Sequence, residues 1–175
     1  MGAVNALVIN AVELARQPGS VRHVDTVVAL VELDAVDPRL GGDTGDAGDA
    51  GEVAVDLTLE STLDDIVVTG TLTVEWSDEC RRCLRPLADA LRIDVEERYA
   101  DAPELDEFPI ANGQIDLRPM VREEVLLAIP DAPLCRDDCP GLCPVCGIDL
   151  QSSPDHGHPE ERDERWAALD ELREL

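Results

Sequence analysis

The stretch Leu134–Cys146, LCRDDCPGLCPVC, restricts what this chain can fold into more than any other part of it. It holds four of the six cysteines as Cys135-x3-Cys139-x3-Cys143-x2-Cys146, and the other two stand apart as Cys80-x2-Cys83. Two thiolates two residues apart on a tight turn occupy neighbouring corners of a tetrahedron, so paired CxxC motifs in a reducing compartment point to zinc. Pro140-Gly141, Pro144 and Gly147 supply the turns that aim sulfurs inward. His156-x-His158 brings the candidate ligands to eight, enough for two tetrahedral sites.

Two groupings of these ligands are open. One joins Cys80 and Cys83 with Cys135 and Cys139, and Cys143 and Cys146 with His156 and His158. The other is a ribbon arrangement of Cys80, Cys83, Cys143 and Cys146, with Cys135 and Cys139 left over. In either, every position can be closed by protein, which favours structural zinc over a catalytic ion that keeps a position open for water. His23 lies far from these clusters along the chain and reads as an ordinary surface or core histidine.

The rest of the chain has to supply a core with few rings. Hydrophobic residues make up 44% of its 175 positions but aromatics only 2%, so packing falls to Val, Leu, Ile and Ala. With 39 acidic residues against 14 basic ones, all arginine, the formal charge is −25. Such a surface repels bulk nucleic acid and suits a basic protein partner or simple solubility. No apolar run approaches the roughly 18 residues of a membrane helix, and the N-terminus lacks a signal-peptide pattern. A cytoplasmic location without membrane contact is expected, where paired cysteines serve as metal or redox centres more often than as disulfides.

Along the chain, 3–15 predicts a strand near Leu7–Ile9 and then a helical turn, stopped by Gln17-Pro18-Gly19-Ser20. Thr26–Leu33 reads as a buried strand, and 37–52, where glycine alternates with acid, as a disordered loop. Glu52–Leu59 alternates cleanly, and Ile66–Trp76 repeats the pattern with Gly70 as a bulge or tight contact. Leu87–Tyr99 has a mixed period and predicts a strand in its second half, which sets Cys80-Arg-Arg-Cys83 at a hairpin tip. Asp101–Phe108 reads as an exposed acidic linker. A helix is expected from Asp116, as N-cap, to about Ala128, and a second, charged one over 159–175. The fold class expected is α+β in a single domain over 1–175. It combines an antiparallel β-meander or partly open barrel, a central helix, zinc knuckles over 134–158 and the C-terminal helix.

Two further groups draw attention. Arg81, Arg82 and Arg85 either form a basic patch for RNA phosphate or offset the negative charge of a thiolate-bound zinc. Glu124 falls on the apolar face of the first helix, where it either pairs with an arginine from elsewhere or meets a partner. No Ser/His/Asp constellation, phosphate loop or paired-carboxylate motif occurs in the sequence, and no small-molecule substrate is indicated.

The blocks CRRCLRPL, IDLRPMVREEVLLAIPDAPLC, DCPGLCPVCG, HGH and DERWAAL together resemble the YceD family, the large ribosomal RNA subunit accumulation proteins, over roughly residues 75–175. The resemblance implies a non-catalytic role in the synthesis, processing or stability of large-subunit ribosomal RNA, with a ribosomal protein or an RNA precursor as partner. It also favours the first ligand grouping, because relatives often carry Cys-x-Cys at the position of His156-x-His158. Gln151 departs from the pattern, standing where asparagine is common after the CG. Glu164 likewise stands where proline is usual. A redox- or metal-responsive thiol switch is the competing function.

Overall fold

Alternation of apolar and polar residues builds the central sheet. In the computed structural model, which describes residues 3–41 and 51–159, β3 (Glu52–Ser61) buries Val53, Val55, Leu57 and Leu59 on one face. On β4 (Ile66–Glu79) Ile66, Val68, Leu72, Val74 and Trp76 do the same. With β5 (Pro86–Ala100) and β2 (Val21–Ala29) these strands form an antiparallel meander whose register aligns Val24, Leu57, Gly70 and Val95 in one row. Three short strands complete a curled, half-barrel sheet of order β1-β7-β6-β5-β4-β3-β2, with β1 at Val8–Asn10, β6 at Phe108–Ala111 and β7 at Gln114–Asp116. All pairings are antiparallel except β5 with β6.

The helix α2 (Arg118–Ala128) packs on this sheet, where Leu117, Met120, Val121, Val125 and Ile129 join the main core. Tyr99 stacks on Phe108 at 5.3 Å between ring centroids and donates its hydroxyl to the Asp116 carbonyl, fastening β5 to the start of the helix. Among the described residues no buried side-chain nitrogen or oxygen lacks a hydrogen-bond partner. No helix there is long and apolar enough to cross a membrane.

Gly70 is the tight contact that the sequence suggests, without a bulge, since both neighbouring strands pair through it in continuous register. Its φ of 147° is glycine territory, and a Cβ there would sit 2.9 Å from the Leu57 Cα and closer still to the Asp56 carbonyl oxygen. Backbone on the neighbouring strand cannot move aside without breaking the ladder. Gly70→Ala is therefore expected to destabilise the fold by about 2–4 kcal/mol. A lowered denaturant midpoint at constant slope would show it, and an unchanged midpoint would mean that the ladder yields.

Several expectations are corrected. The strand near the N-terminus begins at Val8 and is preceded by a 3-10 turn over Ala3–Leu7, while the helical turn that follows, α1 (Ala11–Ala15), is as expected. The β-branched run of 26–33 is a strand only to Ala29. Leu30–Leu33 turns into a 3-10 helix that buries Leu30 and Leu33, three apart, and ends at Asp34 with φ of 54°. The first half of β5 is strand after all, paired with Thr73–Glu79 of β4, of which Glu75–Glu79 lie beyond the end of the β3 pairing. Backbone pairing with only Leu87 and Leu91 half-buried makes it so, which is why its side chains show no clean period. The expected acidic linker ends in the β6–β7 hairpin, turned at Asn112-Gly113 with φ of 54° and 71°.

The helix starts two residues after Asp116, with Leu117 in the N-cap position. Asp116 still accepts the early Arg118 N–H at 3.1 Å, along with the Arg118 Nε at 2.7 Å, because Pro119 has no N–H to offer. Of the loop expected over 37–52, Asp37–Gly41 is tied down. Leu40 bridges Trp76, and Arg39 pairs with Asp37 and donates to the Pro130 carbonyl. Residues 42–50 and 160–175, and with them most of the acidic loop and nearly all of the expected C-terminal helix, lie outside the described residues.

Candidate metal centres

The two CxxC motifs fold into the same loop. In the first, Cys80 N–H donates to the Arg85 carbonyl at 2.8 Å and Leu84 N–H to the Cys80 carbonyl at 2.9 Å. In the second, Cys143 N–H donates to the Ile148 carbonyl and Gly147 N–H to the Cys143 carbonyl, both at 2.8 Å. The residue after the second cysteine takes a left-handed conformation in each, Leu84 at φ 57° and Gly147 at φ 74°. The β4–β5 hairpin holds the first loop at its tip, as the sequence predicts.

The loops do not share a site. Cys80 and Cys83 meet Cys135 and Cys139, and Cys143 and Cys146 meet His156 and His158, with the ligand atoms of each set within 4.8 Å of one another. The ribbon grouping is not what the fold brings together. Cys80 Sγ lies 3.9 Å from Cys139 Sγ and Cys83 Sγ 3.7 Å from Cys135 Sγ. A tetrahedron with metal–sulfur bonds of about 2.3 Å has edges of about 3.8 Å, so this set fits a metal ion as it stands.

The second set is tighter and more open. His156 Nε2 is 2.9 Å from His158 Nε2, and the two nitrogens are 3.1 and 3.2 Å from Cys146 Sγ. Edges of about 3.3–3.6 Å are needed around an ion with two thiolates and two imidazoles, a spread of a few tenths of an ångström. Cys143 is buried, but Cys146 and His158 are exposed, whereas Cys80, Cys83 and Cys139 are all buried.

Electrostatics within the first set call for a cation. Burial would raise the Cys80 thiol, but the backbone N–H groups of Cys135, Cys83 and Arg82 outweigh it and bring it down to about 6. Despite the Arg85 N–H, which favours its thiolate, Cys83 is pushed up to about 12 by burial and by the three sulfurs around it. Cys135 is raised by burial and by Cys139. A bound dication favours the thiolate form of the sulfurs that ligate it. In the second set, the N–H groups of Val145 and Cys146 lower the Cys143 thiol.

The three arginines stitch the hairpin tip to the segment after α2. Arg81 donates to the Asp131 carbonyl at 2.7 and 3.2 Å, Arg82 to the Cys139 carbonyl at 2.9 Å, and Arg85 Nη2 lies 3.4 Å from Asp149 Oδ2. Backbone bonds run alongside, from Arg81 N–H to Pro133 and from Leu142 N–H to Arg82. A Cβ on Gly141, at φ 78°, would stand 2.9 Å from that Arg82 carbonyl, so glycine permits the close approach.

Two side chains differ from what sequence spacing suggests. Glu124 faces Glu97 of β5 rather than an arginine. The Glu97 carboxyl is raised by burial first, then by the charges of Glu124, Glu123 and Asp106. Nearby guanidinium groups are engaged elsewhere, Arg122 with the Asp34 carbonyl and Arg118 with Asp116. Gln151 enters the site without being a ligand, its Nε2 lying 3.6 Å from Cys135 Sγ and 3.8 Å from Cys139 Sγ. A motif reading finds ligands, not donors to ligands. The only signal at Gln151 is its departure from asparagine.

Residues 68–173 match the family model described as "Large ribosomal RNA subunit accumulation protein YceD", a span that contains all eight candidate ligands. An uncharacterized protein of Mycobacterium tuberculosis is 33% identical over 175 residues, covering 95% of this chain and 81% of its own length. Another, from Mycobacterium leprae, is 29% identical over 178 residues, covering 97% and 78%. No solved structure matches the chain.

Proposed function

The chain belongs to the YceD family, and from that premise we propose that it is a non-catalytic, cytoplasmic factor supporting accumulation of the large ribosomal RNA, its C-terminal half held by two structural zinc ions. The observation that carries this reading is the coincidence of the family match with the ligand sets. The matched span contains both groups of cysteine and histidine side chains whose donor atoms lie within 4.8 Å of one another. Four protein ligands close a zinc site and leave no position for a reacting water, which supports a structural role. Cys80, Cys83, Cys135 and Cys139 would hold one ion, and Cys143, Cys146, His156 and His158 the other.

Charge supports a protein as the direct partner. At a net −25 the chain meets a repulsive field over any broad RNA face, while a basic ribosomal protein is attracted and its encounter accelerated. Arg81, Arg82 and Arg85, the arginines best placed for phosphate, already donate to carbonyls and to Asp149. Tagged chain recovered from cell extract is expected to keep a large-subunit ribosomal protein after ribonuclease digestion. It should release that protein as salt rises and the screening length falls below about 8 Å. Complete release by ribonuclease would make RNA the ligand instead.

A further inference from the structure

We propose that the two metal centres are coupled, and that Gln151 is the positioning residue that couples them. This rests on the zinc reading above. Gln151 lies between Cys146 and His156, inside the loop that the second centre closes, yet its amide donates to two sulfurs of the first. Its placement is fixed from both sides. Its backbone N–H binds Asp149 Oδ1 at 2.8 Å, and the other oxygen of that carboxylate meets Arg85, whose carbonyl holds the Cys80 N–H. Leu150 N–H bonds the Gly141 carbonyl at 3.0 Å, so the 149–152 turn sits against the glycine that touches Arg82.

The physical consequence follows from the direction of the donor. A four-thiolate centre keeps excess negative charge after binding a dication, and an N–H aimed at its sulfurs stabilises the thiolates and resists their protonation and departure. Filling the Cys143/Cys146/His156/His158 centre orders the loop that carries Gln151 and holds its amide on Cys135 and Cys139. Emptying it leaves the loop tied on its Cys146 side by the exposed Arg85–Asp149 pair, the Leu150–Gly141 backbone bond and the Leu142–Asp149 bridge, with its His156 side released, and the amide is then lost to water for part of the time. Coupling of this kind is reciprocal, so the first centre also favours filling of the second.

Cobalt(II) is the probe, because its absorption distinguishes a four-sulfur centre from a mixed sulfur–nitrogen one. Release from the four-cysteine centre to excess chelator would be timed in the natural chain, His156→Ala/His158→Ala, Gln151→Leu and the triple variant. Loss of a donor to a metal ligand weakens binding by about 10–100-fold. We expect release about tenfold faster in both the histidine variant and Gln151→Leu, with the triple variant no faster than either. Gln151→Asn, which keeps an amide, should recover part of the effect. Unchanged release in the histidine variant, or effects that multiply in the triple variant, would overturn the coupling while leaving two metal centres standing. Failure of the natural chain to take up cobalt at all would overturn the zinc reading and the coupling together.

Discussion

Stripped of metal under reducing conditions, the chain is expected to lose order at residues 80–85 and 131–158 while β2–β5 and α2 keep theirs. The described residues form two separate cores. The main one contains the inward rows of the sheet and the buried face of α2 and includes no cysteine. The other is Cys80, Cys83 and Cys139 with Leu87, Leu134, Cys135 and Leu142 packed around them, too few apolar groups to organise a segment of this length. Residues 131–158 contain no helix or strand, only the isolated bridge of Leu142 with Asp149.

Residues 86–129 are already ordered by the main core, so the cost of seating Cys135 and Cys139 falls on the 131–142 segment itself, about 1–2 kcal/mol of backbone entropy for each residue fixed. The arginine contacts that would offset it are exposed or only part-buried, and such contacts contribute about 1 kcal/mol each. Structural zinc contributes about 10–16 kcal/mol in small domains, enough to decide the matter. Amide hydrogen exchange before and after chelation measures it. Protection should vanish at the hairpin tip and beyond Pro130 and persist in the sheet. Equal protection in both states would show that packing and hydrogen bonds alone hold the segment.

Much of this arrangement is legible in the sequence, for physical reasons that differ by element. Val53–Leu59 and Ile66–Trp76 announce themselves because one face is buried and the other solvated. The hairpin tip follows from a knuckle flanked by strands. The start of β5 shows poorly, since only Leu87 and Leu91 are half-buried there and the residues between them reach solvent. The β6–β7 hairpin carries Asn112-Gly113, a strong turn signal, but its strands of four and three residues are too short to reveal a period.

The ligand grouping is open on spacing alone. Either pairing of the knuckles satisfies a tetrahedron, and the choice is made by the Arg81–Pro133 and Leu142–Arg82 bonds that set the register of the two segments. For Glu124, a chain with 39 acids and 14 arginines leaves many carboxylates without a cation, and the helix sets this one beside Glu97.

The second large effect is on metal content. The two ligand sets are separate in space and share no residue, so removing ligands from one should not empty the other at equilibrium. Cys139→Ser takes a buried sulfur from the first set and is expected to cost one ion together with the order of the 131–142 segment. His156→Ala/His158→Ala takes two ligands from the second, more open set, whose four members all fall within residues 143–158, and is expected to cost one ion with only local loosening. A ribbon grouping predicts otherwise, since Cys143 would then serve the same ion as Cys80.

Elemental analysis of the purified chain, combined with native mass measurement of the intact protein, tests the account most directly. Two zinc ions per chain, falling to one in His156→Ala/His158→Ala and to one in Cys139→Ser, is the result expected. A chain without metal, or one that loses both ions or neither in the histidine variant, would contradict it.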